Sequence, residues 1–112
     1  MIHLNFCKKK RLLSSNFNSI FNNPYRKSNE YYTILSKKNI LQYSRLGIII
    51  PKKNIYKAYI RNKIKRIIRE CFRLNQYKLP VRDFIVILIK KNIININYIN
   101  IKKYLKKLWN LY

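Results

Sequence analysis

A chain of 112 residues carrying 26 Lys+Arg against 3 Asp+Glu, with a formal net charge of +23, suits one domain over 1–112 and is too short for two independent cores. Its 48% hydrophobic and 14% aromatic content excludes wholesale disorder, and no apolar run nears the roughly 18 residues of a membrane span. So high a charge repels itself, and full stability is expected to need salt or a polyanion.

Residues 1–13 read as an irregular basic arm, Lys8, Lys9, Lys10 and Arg11 leading into Leu12 and Leu13. The lysines follow a short apolar start, the wrong order for a secretory signal, so the expectation is a soluble, cytoplasmic protein without membrane association. Ser14 suits the N-cap of a short helix over about 15–22, with Phe17, Ile20 and Phe21 on one side. Pro24 and the polar run to Asn29 read as a loop. Glu30 to Lys38 is rich in β-branched and aromatic residues and reads as a strand. A turn from Asn39 to Gln42 leads to a second strand, Tyr43 to Ile50, ended by Pro51. Gly47, the one glycine, lies inside it and suggests a bulge or a close approach by another backbone.

The clearest helix covers 56–75, with Asn54 read as its cap. Ile60, Ile64, Ile67, Ile68, Cys71 and Leu74 form one apolar stripe at the helical period. Asp83 to Lys91 reads as a strand buried on both faces. A last helix starts near Tyr98, capped by Asn97. Ile101, Tyr104, Leu105, Leu108 and Tyr112 form its apolar stripe, and Lys102, Lys103, Lys106 and Lys107 face water. Trp109 reads as packing. The order of helix, strands, helix, strand, helix is α+β.

Chemistry of the catalytic kind has little to work with. Cys7 and Cys71 form no CxxC, and His3 is the one histidine, so a four-ligand zinc site cannot be assembled. Glu30, Glu70 and Asp83 are spread along the chain without an acid/base pair. No catalytic residue and no metal ligand is therefore assigned.

The cations are the informative feature. Ile, Lys, Asn and Tyr, all with A/T-rich codons, fill more than half of the chain, so base composition alone could inflate lysine. It does not account for eight arginines beside three acids, a balance that points to a phosphate-rich partner. Arg61, Lys65, Arg66, Arg69 and Arg73 fall opposite the apolar stripe, with Asn62 among them and Lys63 at the border. Only Glu70 can neutralise any of them along the helix, through Arg66 or Arg73. An ordinary solvated face interleaves glutamate, and half of the chain's arginines gather here, so the helix reads as nucleic-acid binding.

The run RNKIKRIIRECFRLNQYKLP (61–80) resembles the arginine-rich helix of the protein subunit of bacterial ribonuclease P, usually written RNRIKRLIRE-x-FR. Arg11-Leu12-Leu13-Ser14 with Phe17 and Phe21 is similar to that family's opening. Arg45-Leu46-Gly47 with Lys52-Lys53 is similar to its central segment, and Leu105, Leu108 and Trp109 to its closing helix. Lys63 stands where the family has a second arginine, keeping the charge and losing the bidentate fork.

The resemblance implies a compact αβββαβα sandwich with a left-handed βαβ crossover through the basic helix. The residues themselves give three strands, and a fourth would have to come from splitting 43–50 from its neighbours. It also implies a subunit of an endoribonuclease whose RNA carries the catalysis and holds the Mg2+ ions, the protein alone being inactive. The partners would be that catalytic RNA and precursor tRNA, with no protein partner required. Arg61, Asn62, Lys63, Lys65, Arg66, Arg69 and Arg73 would bind the RNA. Phe17, Phe21 and Tyr32 would stack unpaired bases of the 5′ leader, while Lys52, Lys53 and Lys90 would contact its phosphates. Without the family, the aromatics read as core more often than not and the lysines as surface. A small ribosomal RNA-binding protein is the alternative. A nucleoid protein lacks a helix-turn-helix pair here, a membrane-surface peptide would not flank its helix with strands, and a self-sufficient nuclease lacks its acids.

Overall fold

The computed structural model describes residues 10–90 and 98–112. Along them run α1 (Ser14–Phe21), β1 (Tyr25–Ser28), β2 (Tyr32–Lys38), β3 (Arg45–Ile49), α2 (Ala58–Asn75), β4 (Arg82–Leu88) and α3 (Tyr98–Trp109). His3, Cys7, Lys8, Lys9 and the Asn97 cap lie outside the described residues.

The four strands form one sheet in the order β1-β2-β4-β3. β4 is the strand that the apolar run Phe84 to Leu88 demands, flanked on both sides and covered on both faces. It pairs antiparallel with β2, Ile34 opposite Val86, and parallel with β3, Gly47 opposite Ile85. Parallel neighbours cannot be joined by a tight turn, and α2 supplies the crossover.

Alternation along the strands splits the core between two faces. Tyr32, Ile34, Leu46, Phe84, Val86 and Leu88 meet α2 and α3 in the main core. There Phe84 and Trp109 pack edge to face at 5.3 Å, with Phe72 5.9 Å from Trp109. On the other face Leu35 and Ile85 meet Ile20 of α1 and Leu12 of the arm. Beside them Lys37 reaches back to donate to the Ser19 and Asn22 carbonyls at the end of α1. Asn23 takes φ 57°, a left-handed conformation that asparagine tolerates, and Pro24 follows, so the helix stops there.

Several expectations need correction. The run 25–28 is a strand, not a loop, and it supplies the fourth strand that was sought within 43–50. Its residues are mostly exposed and it pairs on one side only, so it carries no apolar alternation. β3 begins at Arg45 rather than Tyr43, without a bulge, and β2 begins at Tyr32. Ser14 is the first helical residue, not the cap; Leu13 holds that position, and its N–H donates to Asn16 Oδ1 at 2.9 Å. Asn54 caps nothing: it is buried and donates to the Leu88 carbonyl at 2.8 Å, while α2 starts two residues later than expected. Leu74 is 44% exposed, and Phe72 takes its place in the buried stripe of α2.

Candidate nucleic-acid interface

A short piece of chain builds the site. Leu12 N–H donates to the Leu46 carbonyl at 2.9 Å, and Arg11 bridges Leu46 in parallel, so the arm lies along the free edge of β3. This cover blunts the edge and brings Arg11 to it. One helical turn on, the half-buried Phe17 ring lies over Gly47. A Cβ there would sit 2.6 Å and 2.7 Å from two ring carbons, so the glycine serves the close approach of a side chain rather than of a backbone.

Across this edge stands the flank of α2. Arg11, Phe17, Gly47, Ile48, Lys65 and Arg69 line one cleft of about 160 Å3 together with Leu12 and Leu46. Burial first, and then the neighbouring Arg11, lowers Arg69 from the ordinary arginine value. No acid lines the cleft. An aromatic ring beside partly desolvated cations is what a nucleotide engages, base to ring and phosphate to guanidinium.

The acids are occupied elsewhere. Asp83 accepts from Arg45 at 2.8 Å and 2.6 Å and from Asn39 at 2.8 Å. Glu70 pairs with Arg73, one of its two expected partners, and Glu30 faces the Tyr104 hydroxyl, whose pKa it raises. Among the described residues no three His, Cys, Asp or Glu side chains gather as metal ligands. Burial pushes the Cys71 thiol up, consistent with a packing role.

The seven cationic-helix candidates do not share one surface. Lys65 and Arg69 enter the cleft beside Phe17. Arg61 turns back to donate to the Ile55 and Tyr56 carbonyls at 2.9 Å and 2.7 Å. Asn62 and Arg66 are exposed, and Lys63 leans over the Tyr98 ring at 4.4 Å, toward α3.

The leader candidates also divide. Phe21 is 45% exposed and meets Phe17 edge to face at 6.2 Å. Lys52 and Lys53 are exposed in the turn after β3, at the end of the sheet where Ile49 pairs Ile87. Tyr32 does not belong to this surface. It is fully buried on the opposite face of the sheet, its hydroxyl donating to the Ile101 carbonyl at 2.9 Å, and burial raises its pKa. Lys90 shares that opposite side, its ammonium 5.4 Å from the Tyr31 ring, which stacks on Tyr104 at 4.2 Å. Tyr32→Phe should therefore lower the unfolding free energy by about 1 kcal/mol and leave RNA affinity unchanged. Melting and binding titrations check this; a weaker leader complex at unchanged melting temperature would return Tyr32 to the site.

Sequence reasoning missed Arg11 as a site residue and the Tyr31–Tyr104 stack. The bridge to β3 is what places Arg11, and nothing local in the chain announces it.

A family model described as Ribonuclease P matches residues 6–112. The chain is 47% identical over 113 residues to a "Ribonuclease P protein component" of Buchnera aphidicola subsp. Schizaphis graminum, covering 100% of this chain and 98% of the relative. A Haemophilus influenzae protein of the same description is 41% identical over 110 residues, 97% of this chain and 92% of the relative. Among solved structures, the Thermotoga maritima RNase P protein superposes with a TM-score of 0.79 at 36% identity, covering 91% of this chain and 96% of that one. The Staphylococcus aureus RNase P protein superposes at 0.82 with 27% identity, over 91% and 94%.

Proposed function

The chain belongs to the ribonuclease P protein family, and from that premise we propose how its surfaces divide the work of an endoribonuclease that trims precursor tRNA. The observation that carries the reading is the single cleft shared by Phe17, Arg11, Lys65 and Arg69. An unpaired leader base lies against Phe17, with Phe21 at its edge. Adjacent phosphates are taken by Lys65, Arg69 and Arg11, and Lys52 and Lys53 wait where the sheet opens. The outward residues of α2, Asn62, Lys63 and Arg66, together with Arg61 and Arg73, take the catalytic RNA.

The protein supplies position and charge, and no group that attacks phosphorus. The Mg2+ that such hydrolysis uses is assigned to the RNA, because the carboxylates of this chain do not fit it. Asp83 is consumed by Arg45 and Asn39, and Glu70 by Arg73. Three donor bonds from Arg45 and Asn39 on Asp83, and the Arg73 guanidinium on Glu70, leave poor sites for a hard divalent ion. On this reading the protein alone is inactive, needs no protein partner, and works in the cytoplasm. Among the described residues, no helix is long and apolar enough to cross a membrane.

Phe17→Leu tests this. Leucine keeps much of the apolar contact with Gly47 and removes the flat ring, and a stacked base contributes about 1–3 kcal/mol. Affinity for precursor tRNA with a 5′ leader should fall roughly tenfold, while affinity for mature tRNA and for the catalytic RNA holds. If Phe17 only packs, the variant melts earlier and all three affinities fall together. A stable variant with undiminished leader preference removes Phe17 from the site.

A further inference from the structure

The cleft uses one flank of α2. The other flank runs into a second cationic surface. Arg66, Ile67, Glu70 and Cys71 of α2 and Lys102 of α3 border a groove of about 340 Å3 between the two helices. Lys63 bridges it at one end, over the Tyr98 ring that opens α3. Beyond the groove, Lys102, Lys103, Lys106 and Lys107 flank a shallow depression with Ile99 and Asn110, and all four lysines are exposed. α3 carries no acid at all. The one carboxylate in the groove, Glu70, is held by Arg73.

Like charges at i, i+4 on a helix oppose its formation. Lys102 and Lys106, and Lys103 and Lys107, are two such pairs. Each pair spans about 6 Å of helix, and α2 and α3 lie about 8–10 Å apart, so the cations form a two-row lattice on the scale of several phosphates. What the surface lacks is as informative as what it holds. Tyr98 lies under Lys63, and Tyr104 is stacked on Tyr31 with Lys107 over it at 5.1 Å. Among the described residues the two tyrosine rings of α3 are thus covered, and the exposed Tyr59 ring nearby sits at the start of α2, a turn before Lys63, with the Lys57 ammonium 5.9 Å from it. Point charges without stacking platforms suit the phosphate backbone of paired RNA, bound without regard to sequence.

We infer that the lysine face of α3, joined to Lys63 and Arg66 of α2, is a second RNA contact that takes the backbone of a base-paired stem of the catalytic RNA, while the cleft on the far flank of α2 takes single strand. The inference rests on the ribonuclease P reading and extends it to an element that the sequence treated as merely facing water.

The experiment compares two charge-matched pairs in the whole protein. Lys102→Gln/Lys106→Gln removes two cations from this face. Lys38→Gln/Lys78→Gln removes two exposed ones from elsewhere. Each is titrated across a salt series against the ribonuclease P RNA of the same cells, an unrelated stem-loop, and a single-stranded leader oligonucleotide. For the first pair, the salt slope on ribonuclease P RNA should flatten by about 1.4–1.8 and affinity fall about tenfold near 0.1 M salt. Its binding of the single strand should match that of the control pair, and Lys102→Arg/Lys106→Arg should restore the slope. If the two glutamine pairs behave alike on ribonuclease P RNA, the α3 face is solvated surface and the inference is overturned. If a glutamine pair melts early, Lys103→Gln/Lys106→Gln gives the same comparison. Failure of the underlying reading looks different: the unsubstituted protein would then hold ribonuclease P RNA no better than the unrelated stem-loop.

Discussion

Replacing Asp83 with alanine should lower the unfolding free energy by about 3 kcal/mol, the largest loss expected from any single carboxylate here. Arg45 grips Asp83 with two nitrogens, and the pair is largely shielded, with side chains 22% and 10% exposed. Breaking a buried pair strands the surviving charge, and the residual exposure of Arg45 puts the effect at the lower end of the usual range. The loss also spreads. Asn39 bonds the same carboxylate, accepts from the Leu41 N–H and donates to the Tyr43 carbonyl, so Asp83 anchors the turn between β2 and β3. Removing both charges as Arg45→Met/Asp83→Leu should recover most of the stability, because no unpaired ion is left. Urea unfolding of the single and double variants decides it; a loss below about 1 kcal/mol for Asp83→Ala would mark the pair as a solvated surface contact.

Gly47→Val should destabilise by about 2 kcal/mol, within the range for overpacking, and abolish leader preference. Its Cβ would lie inside contact distance of two Phe17 ring carbons and 3.4 Å from Leu12 Cβ. Valine suits a strand, so the penalty comes from the ring and not from the backbone. In a Phe17→Ala background the cost of Gly47→Val should fall by more than half, a coupling readable by a double-mutant cycle. Leader preference should stay lost in the double variant, since the stacking surface is gone. Additive losses would mean that Phe17 does not rest on Gly47 in solution.

How much of this was legible depended on whether an element announces itself along one chain segment. The apolar stripe of α2 and the β-branched run of β4 carry their own periodicity, and both elements fell where the pattern put them, apart from ends and one stripe residue. Phe72 and Leu74 flank the last turns of α2, and only the packing of Phe72 against Phe84 and Trp109 decides which is buried. β1 is a polar edge strand whose backbone ladder pairs with β2 alone, so its four residues could not signal it. In Tyr31-Tyr32-Thr33 the aromatic run does not reveal which residue faces α1. The register with β4, Tyr32 opposite Leu88, turns Tyr32 into the main core. The same parity carries Lys90 away from the cleft. The cationic helix was read as one binding face, yet a helix packed between an arm and another helix has two flanks, and only the contacts separate Lys65 and Arg69 from Lys63 and Arg66.

The place of β4 in the sheet has a consequence for synthesis. Three of the four strands come off the ribosome before it, yet every strand pairing except β1 with β2 requires it. A lone hairpin is marginal in water, and the apolar stripe of α2 has no sheet to rest on until residues 82–88 exist. Contacts that join distant stretches of chain also form slowly. The nascent protein thus passes the ribosome's own RNA with its most cationic helix made and unanchored. Closure of the sheet around β4 is a late, cooperative event that ends this interval.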